Sequence, residues 1–360
     1  PELEERKNVL VVNNARMKKE LKEIEDKILY MLANSKGNIL DDEELIDTLS
    51  ASKVTSSEIQ VKVKEAEETE AEIDATREKY RPVAYRASIL YFCIADLANV
   101  DPMYQYSLPW FTALYKKAIQ NSEPAVEIPD RIHNLNDFFT YVIYQNVCRS
   151  LFERHKLLFS FLMAIRILQG DGKVDPIEWR FLISGQAQAV ADLPEPPAEE
   201  KWIDNRMWTE MKNLETIPAF NGIAESVLSN IKEWKEYFDA VEAHKHKIPC
   251  GYYEKLTVLQ RMCVLRVIRP DKMTEATQDG VTSFLDKRFI EPPPFDLQAC
   301  YEDSFAYTPL IFVLSMGSDP TKAFYDFSDQ CGFGKKTKGI SLGQGQGVIA
   351  AKLIEEAVVQ

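Results

Sequence analysis

Apolar residues recur in the first eighty positions at helical spacing, on a background too charged to be buried on more than one side. Met17, Leu21, Ile24, Ile28 and Leu32 follow one another at three or four residues. Further on, Ile59, Ala66, Ile73 and Tyr80 fall on a strict period of seven, with Val63 at an intervening position. The other intervening positions, Glu70 and Arg77, are polar, so this seam is thin. A narrow stripe is covered most economically by another narrow stripe. The two stretches are therefore expected to pair as an antiparallel coiled-coil hairpin, roughly Met17–Tyr80, protruding from a globular body. The alternative is two surface helices packed flat on a domain. From Ile59 to Tyr80 such a helix reaches about 33 Å at about 1.5 Å per residue.

Local signals divide this region further. Asn34-Ser-Lys-Gly-Asn38 breaks the first helix, with Gly37 suited to a left-handed turn. A short acidic helix is expected from Asp41, where Glu44 stands at capping-box spacing, and Thr55-Ser-Ser-Glu58 reads as a second capping box opening the longer helix. Pro82 stops or bends that helix. Apolar helices are then predicted at about Val83–Ala98, Pro109–Ile119, Leu135–Leu168 (one helix or two) and Asp175–Ser184. Linkers are expected at Asn121–His133 and Leu193–Ala198, and further helices near Asn205–Leu214, Gly222–Val241, Tyr252–Val267 and Pro270–Leu285.

After Glu291-Pro-Pro-Pro294 the pattern changes. Pro309–Ser315 is a short apolar run suited to a buried parallel strand, followed by a loop and a helix at about Pro320–Cys331. A second strand at Gly339–Leu342 leads through Gly343-Gln-Gly-Gln-Gly347 into a helix at Val348–Val359. Strand, helix, strand, helix is how a doubly wound α/β domain begins. The expected fold class is mainly α, followed by the start of an α/β subdomain.

Bulk properties exclude several functions. A net charge of −13 over 360 residues argues against a nucleic-acid platform, which needs a basic face. The most apolar stretch, Leu157–Leu168, contains Arg166 and falls short of the roughly 20 apolar residues of a membrane span, so a buried helix is expected there. Cys93, Cys148, Cys250, Cys263, Cys300 and Cys331 form no CxxC pair, which suits reduced thiols in a cytosolic compartment. With no signal peptide and Pro1 in first place, the chain reads as a soluble intracellular piece of something longer.

Four motifs invite chemistry and each falls short of it. The loop Gly317-Ser318-Asp319-Pro320-Thr321-Lys322 has the strand–loop–helix context of a phosphate-binding loop. In the GxxxxGK[ST] register, however, Lys322 replaces the second glycine, Ala323 the lysine and Phe324 the magnesium-binding hydroxyl. Asp319 before Pro320 reads as a helix N-cap whose carboxylate takes the anion position. The loop is therefore expected not to bind nucleotide. Gly343–Gly347 matches GxGxG only, since Val348 stands where a dinucleotide fingerprint needs glycine. Asp171-Gly-Lys-Val-Asp175-Pro-Ile-Glu178 resembles half an EF-hand loop, but the first ligand positions fall on Ile167 and Gln169. His244-Lys-His246 has no cysteine nearby to complete a metal site. No catalytic residue and no metal ligand is assigned.

Several runs together resemble dynein heavy chains: Ser35-Lys-Gly-Asn-Ile-Leu-Asp-Asp42, Tyr80-Arg-Pro-Val-Ala84, Asp101-Pro-Met-Tyr-Gln-Tyr106 and Leu151-Phe-Glu-Arg-His-Lys156. Arg269-Pro-Asp-Lys272, Leu314-Ser-Met-Gly-Ser-Asp-Pro320 and Ile340-Ser-Leu-Gly-Gln-Gly-Gln346 continue the resemblance in the same order, with wording closest to axonemal inner-arm-type chains. The resemblance implies a segment from the end of the fifth AAA+ module to the start of the sixth. Residues 1–16 would be the tail of the fifth large subdomain and 17–80 the buttress, or strut, that leans on the stalk. Residues 81–290 would be the helical small subdomain and linker region, and 291–360 the first part of the sixth large subdomain, with its degenerate P-loop.

The implied function is non-catalytic force transmission within an ATP-driven, minus-end-directed microtubule motor of cilia and flagella. Implied partners are the other AAA+ modules and stalk of the same chain, microtubules, and dynein intermediate and light chains, with no nucleic acid or membrane. ATP and magnesium would belong to other modules of the parent protein. Rival readings are a divergent P-loop nucleotide-binding protein using Lys322 and an autonomous coiled-coil scaffold that self-associates through the hairpin.

Overall fold

The computed structural model describes residues 2–34, 43–186, 201–291, 294–306, 308–314, 316–341 and 343–359. The expected breaks around Gly37 and Asp41 and the linker at Leu193–Ala198 lie outside the described residues. The chain divides into two units, Pro1–Pro292 and Pro293–Gln360.

The first unit begins with two long helices, α1 (Glu2–Asn34) and α2 (Glu43–Lys79). At about 1.5 Å per residue these are about 50 and 55 Å long. Both exceed the expected bounds. No break separates residues before Met17 from the stripe, because Leu10 and Asn14 continue its three–four spacing backwards. Thr55 does not open a helix either. Its hydroxyl donates to the carbonyl of Ala51 at 3.0 Å, so the residue turns its polar group back onto the preceding turn and α2 runs through.

One residue, Tyr80, separates α2 from α3 (Arg81–Ala95), where Pro82 sits in the first turn and lacks only a donor that the turn leaves unused. There follow α4 (Leu108–Asn121), α5 (Ile128–Cys148), α6 (Glu153–Gly170) and α7 (Pro176–Ser184). The stretch Leu135–Leu168 is thus two helices, and the expected linker shrinks because α5 starts at Ile128. Ser107 and Asp175 cap α4 and α7 through their side chains.

The core is built on α6, which packs against α3 and α13 (Met273–Phe284), while α5 bridges α3 and α4. Phe159, Met163 and Ile167 bury one side of α6 and Phe161 and Ile165 the opposite one, as an all-round apolar helix demands. Arg166 escapes to its rim and pairs with Asp96 at 2.6 Å. A second layer holds α8 (Asn205–Glu215), α9 (Ile223–Ser229), α10 (Ile231–Asp239), α11 (Tyr252–Lys255) and α12 (Val258–Ile268). Thr257 and Gln260 form a complete capping box on α12. Burial pushes the thiols of Cys93 and Cys148 up to about 12, so both act as small apolar residues.

In the second unit the helices are α14 (Leu297–Glu302), α15 (Thr321–Gln330) and α16 (Gly347–Val359). The two expected strands are corrected: no strand occurs among the described residues. Leu310–Leu314 and Gly339–Ser341 are irregular, and Ile311 and Val313 are about four-fifths exposed. A strand exists only as part of a ladder. Neither run joins a ladder among the described residues, so apolar content alone does not make a strand.

Candidate functional site

Two features carry functional weight: the α1–α2 pair with its root in α3, and the loop before α15. Along the pair, Lys7 reaches Asp74 at 2.5 Å and Lys18 reaches Glu67 at 2.7 Å. Further along α1, Ile24 and Lys27 share a hollow with Thr55 and Ile59 of α2. Numbers rise on one helix as they fall on the other, so the helices are antiparallel. Exposed ion pairs of this kind contribute about 0–1 kcal/mol each. They set alignment more than they hold the pair together.

The seam follows an alternating three–four rhythm on both helices. On α1 it runs Leu10, Asn14, Met17, Leu21, Ile24, Ile28 and Met31, each buried or half-buried. On α2 it takes Ser56, Ile59, Val63, Ala66, Glu70 and Ile73, with Ala66 and Ile73 the most deeply covered. Two expected seam residues are therefore corrected. Leu32 is 39% exposed because the rhythm from Ile28 lands on Met31. Tyr80 is 36% exposed because it lies beyond the end of α2, with φ −90° and ψ 2°.

Asn14 is polar, yet the same spacing reaches it. It is buried, and its Oδ1 has no hydrogen-bond partner. Extending the stripe back by seven residues from Leu21 was the signal that could have found it.

The root of the pair is bridged by backbone hydrogen bonds. Tyr80 N–H donates to Arg77 O at 3.0 Å and Val83 N–H to Tyr80 O at 3.0 Å, so hydrogen bonding scarcely pauses between α2 and α3. Three residues into α3 the chain is already in the core, with Val83 buried and Leu90 and Ile94 almost wholly enclosed. Tyr85 donates to the carbonyl of Gly170 at 3.3 Å, and a Cβ at Gly170 would sit 2.3 Å from Ile89 Cδ1. Helices α3 and α6 thus approach closely at the root.

At the loop, Gly317 takes φ +83°, a left-handed conformation suited to glycine. Asp319 Oδ1 accepts from the Thr321 N–H at 3.0 Å, and hydrogen bonds from Thr321 hold its carboxyl below the usual carboxylate range. The helix begins one turn position later than expected, at Thr321, with Pro320 flanking it. Gly317, Ser318, Asp319, Thr321 and Lys322 are all exposed, with Pro320 half-buried, and Phe324 stands 43% exposed in the first turn of α15. An ionised carboxylate thus sits against the first turn of this helix, where an anion would otherwise be favoured.

The remaining motifs have structural partners. Asp175 Oδ1 accepts from Ile177 N–H at 2.7 Å, and Glu178 is buried with Oε1 accepting from Gln260 Nε2 at 2.6 Å. In the second glycine loop, Gln346 N–H donates to Gly343 O at 3.2 Å and Gly345 has φ +84°. His244 Nε2 lies 3.8 Å from Asp279. Among the described residues no cluster of three or more His, Cys, Asp or Glu is placed to hold a metal ion, and no helix is long and apolar enough to cross a membrane.

Comparison with known proteins adds the family. Residues 1–59 match the ATP-binding dynein motor region, and residues 306–360 match the dynein heavy chain region D6 P-loop domain. Dynein axonemal heavy chain 1 of Homo sapiens is 47% identical over 358 residues, covering 99% of this chain and 8% of the relative. Dynein axonemal heavy chain 3 of Homo sapiens is 46% identical over 359 residues, covering 99% and 9%. The Dynein-1-beta heavy chain, flagellar inner arm I1 complex, of Chlamydomonas reinhardtii is 39% identical over 359 residues, covering 99% and 8%. The chain thus spans less than a tenth of the length of these relatives. Over its whole length it belongs, as one segment, with the axonemal dynein heavy chains.

Proposed function

We propose that this chain is a non-catalytic, force-transmitting segment of an axonemal motor ring. The α1–α2 pair is the lever, α3 its root, and the helical body on α6 the base that moves it. The observation that carries this reading is the near-continuous passage from α2 through Tyr80 into the core helix α3. A stiff element fixed in a packed base transmits displacement, whereas a lever on a flexible linker dissipates it.

On this reading residues 291–360 open the sixth AAA+ module, and the degenerate loop at Gly317–Lys322 serves packing rather than hydrolysis. The description of the family model over 306–360 supports that placement. ATP and magnesium act in other modules of the parent heavy chain. Ring closure there shifts the body, and the lever passes the shift to the stalk and so to the microtubule. Intermediate and light chains join through the parent protein, at work in the axoneme of a cilium or flagellum.

The catalytic half of this reading is tested by titrating the chain with a fluorescent ATP analogue and magnesium. No saturable binding is expected, and the Lys322→Ala variant is expected to match the parent. Saturable binding abolished by Lys322→Ala would establish the rival nucleotide-binding reading.

A further inference from the structure

A cavity of about 330 Å³ lies away from both features, among α10, the loop 240–248, α12 and α13. Its floor is apolar: Met262 and Leu265 of α12 face Ala276 and Gly280 of α13. The small residues keep it open. Gly280 lies inside a helix, where glycine costs about 1 kcal/mol relative to alanine. A Cβ there would already press on Met262 Sδ at 3.1 Å. Tyr237 and Tyr253 form aromatic walls.

Two cations, Lys245 and Arg261, and one carboxylate, Asp279, are among the lining residues. Arg261 sits over the ring of Tyr253, its guanidinium carbon 4.4 Å from the ring centre, and has no carboxylate partner among the described residues. A guanidinium held this way by an aromatic face keeps its in-plane N–H edge for a planar or tetrahedral oxyanion. Lys245 and His246 also line the cavity. Lys245 is neutralised by Glu242 at 2.7 Å, and Asp279 is the one carboxylate lining the cavity. Asp279 faces His244, whose side chain is only 8% exposed and whose buried Nδ1 has no hydrogen-bond partner. Arg261 is therefore a cation with no carboxylate paired to it.

An apolar floor, two aromatic walls, a preorganised arginine and a volume at the low end of ligand pockets define one class of occupant. We propose that this cavity binds a small organic anion, one oxyanion head on a flat apolar body, with Arg261 holding the head and Tyr237 and Met262 meeting the body. Phosphate monoesters and carboxylates share this chemistry, and the experiment separates them.

The test is calorimetric titration of the 360-residue chain with phenyl phosphate, benzoate and neutral benzyl alcohol. At least one of the two anions is expected to bind at a single saturable site, at least tenfold more tightly than the alcohol. Arg261→Gln is expected to weaken that binding at least tenfold. Ser283→Trp, at the exposed mouth of the cavity, is expected to block it while leaving the circular dichroism spectrum unchanged. Because Ser283 lies outside the core, this second variant decides the matter should Arg261→Gln unfold. Failure of both anions to saturate, or undiminished binding by Ser283→Trp, would overturn the proposal and leave the force-transmission reading untouched.

Discussion

The Val83 N–H donates to the carbonyl of Tyr80 at 3.0 Å, and across that bond the last turn of α2 hands over to the first turn of α3. Helix α2 and the core helix α3 are therefore one nearly continuous stretch of hydrogen-bonded backbone. Stiffness at this point is the physical requirement for everything proposed about coupling.

The seam makes a graded prediction. Ile73 is buried between the helices, so Ile73→Ala should cost about 2–4 kcal/mol of pairing stability. Tyr80→Ala, at an exposed ring, should cost well under that. Amide hydrogen exchange resolves the two, with faster exchange confined to α1 and α2 in Ile73→Ala. Equal effects would mean that the seam is drawn in the wrong place.

Asn14 predicts the opposite sign. A buried amide oxygen without a partner costs about 1–3 kcal/mol, and leucine fills a similar volume without that cost. Asn14→Leu should raise the melting temperature of the hairpin, followed by circular dichroism. A fall would show that Asn14 is satisfied in solution.

Much of this was legible in the residues themselves. The three–four stripe from Met17 to Ile28 announced α1, and Asp175 before Pro176 announced the start of α7. The misreadings share a cause: a local signal with two physical outcomes. Thr55 can cap a helix or bond back to the preceding turn, and only the continuation of the seam through Ser56 decides. Leu310–Leu314 has the composition of a strand, but pairing is a non-local property that composition does not contain. At Gly317–Lys322 the departure from the motif is a matter of missing chemical groups, which no fold restores.

Glu178 gives a pH prediction. Burial raises its pKa above the ordinary 4.5, so the folded chain binds a proton more readily than the unfolded one. Its contribution is complete below that ordinary value and is lost as pH rises through the folded value. Glu178→Gln keeps an oxygen for Gln260 and cannot ionise. The variant's melting temperature should gain on the parent's as pH is raised through the weakly acidic range. A constant difference across that range would contradict the assignment.

Asp319 has the reverse sign. Its depressed value means that its contribution is present above the ordinary carboxylate range and is lost as pH falls through the folded value. Hydrogen-exchange protection factors in the first turn of α15 should fall in Asp319→Ala at neutral pH and in the parent only under acid. Unchanged exchange in the variant would show that the carboxylate does not cap this helix.

The central claim is tested most directly at the joint between α2 and α3. Two glycines inserted after Tyr80, in an axonemal heavy chain carrying this segment, should uncouple the lever while leaving the core of the body intact. Microtubule-stimulated ATPase is the measurement. Basal hydrolysis near the parent's with stimulation by microtubules lost is the predicted result, and stimulation equal to the parent's would contradict it.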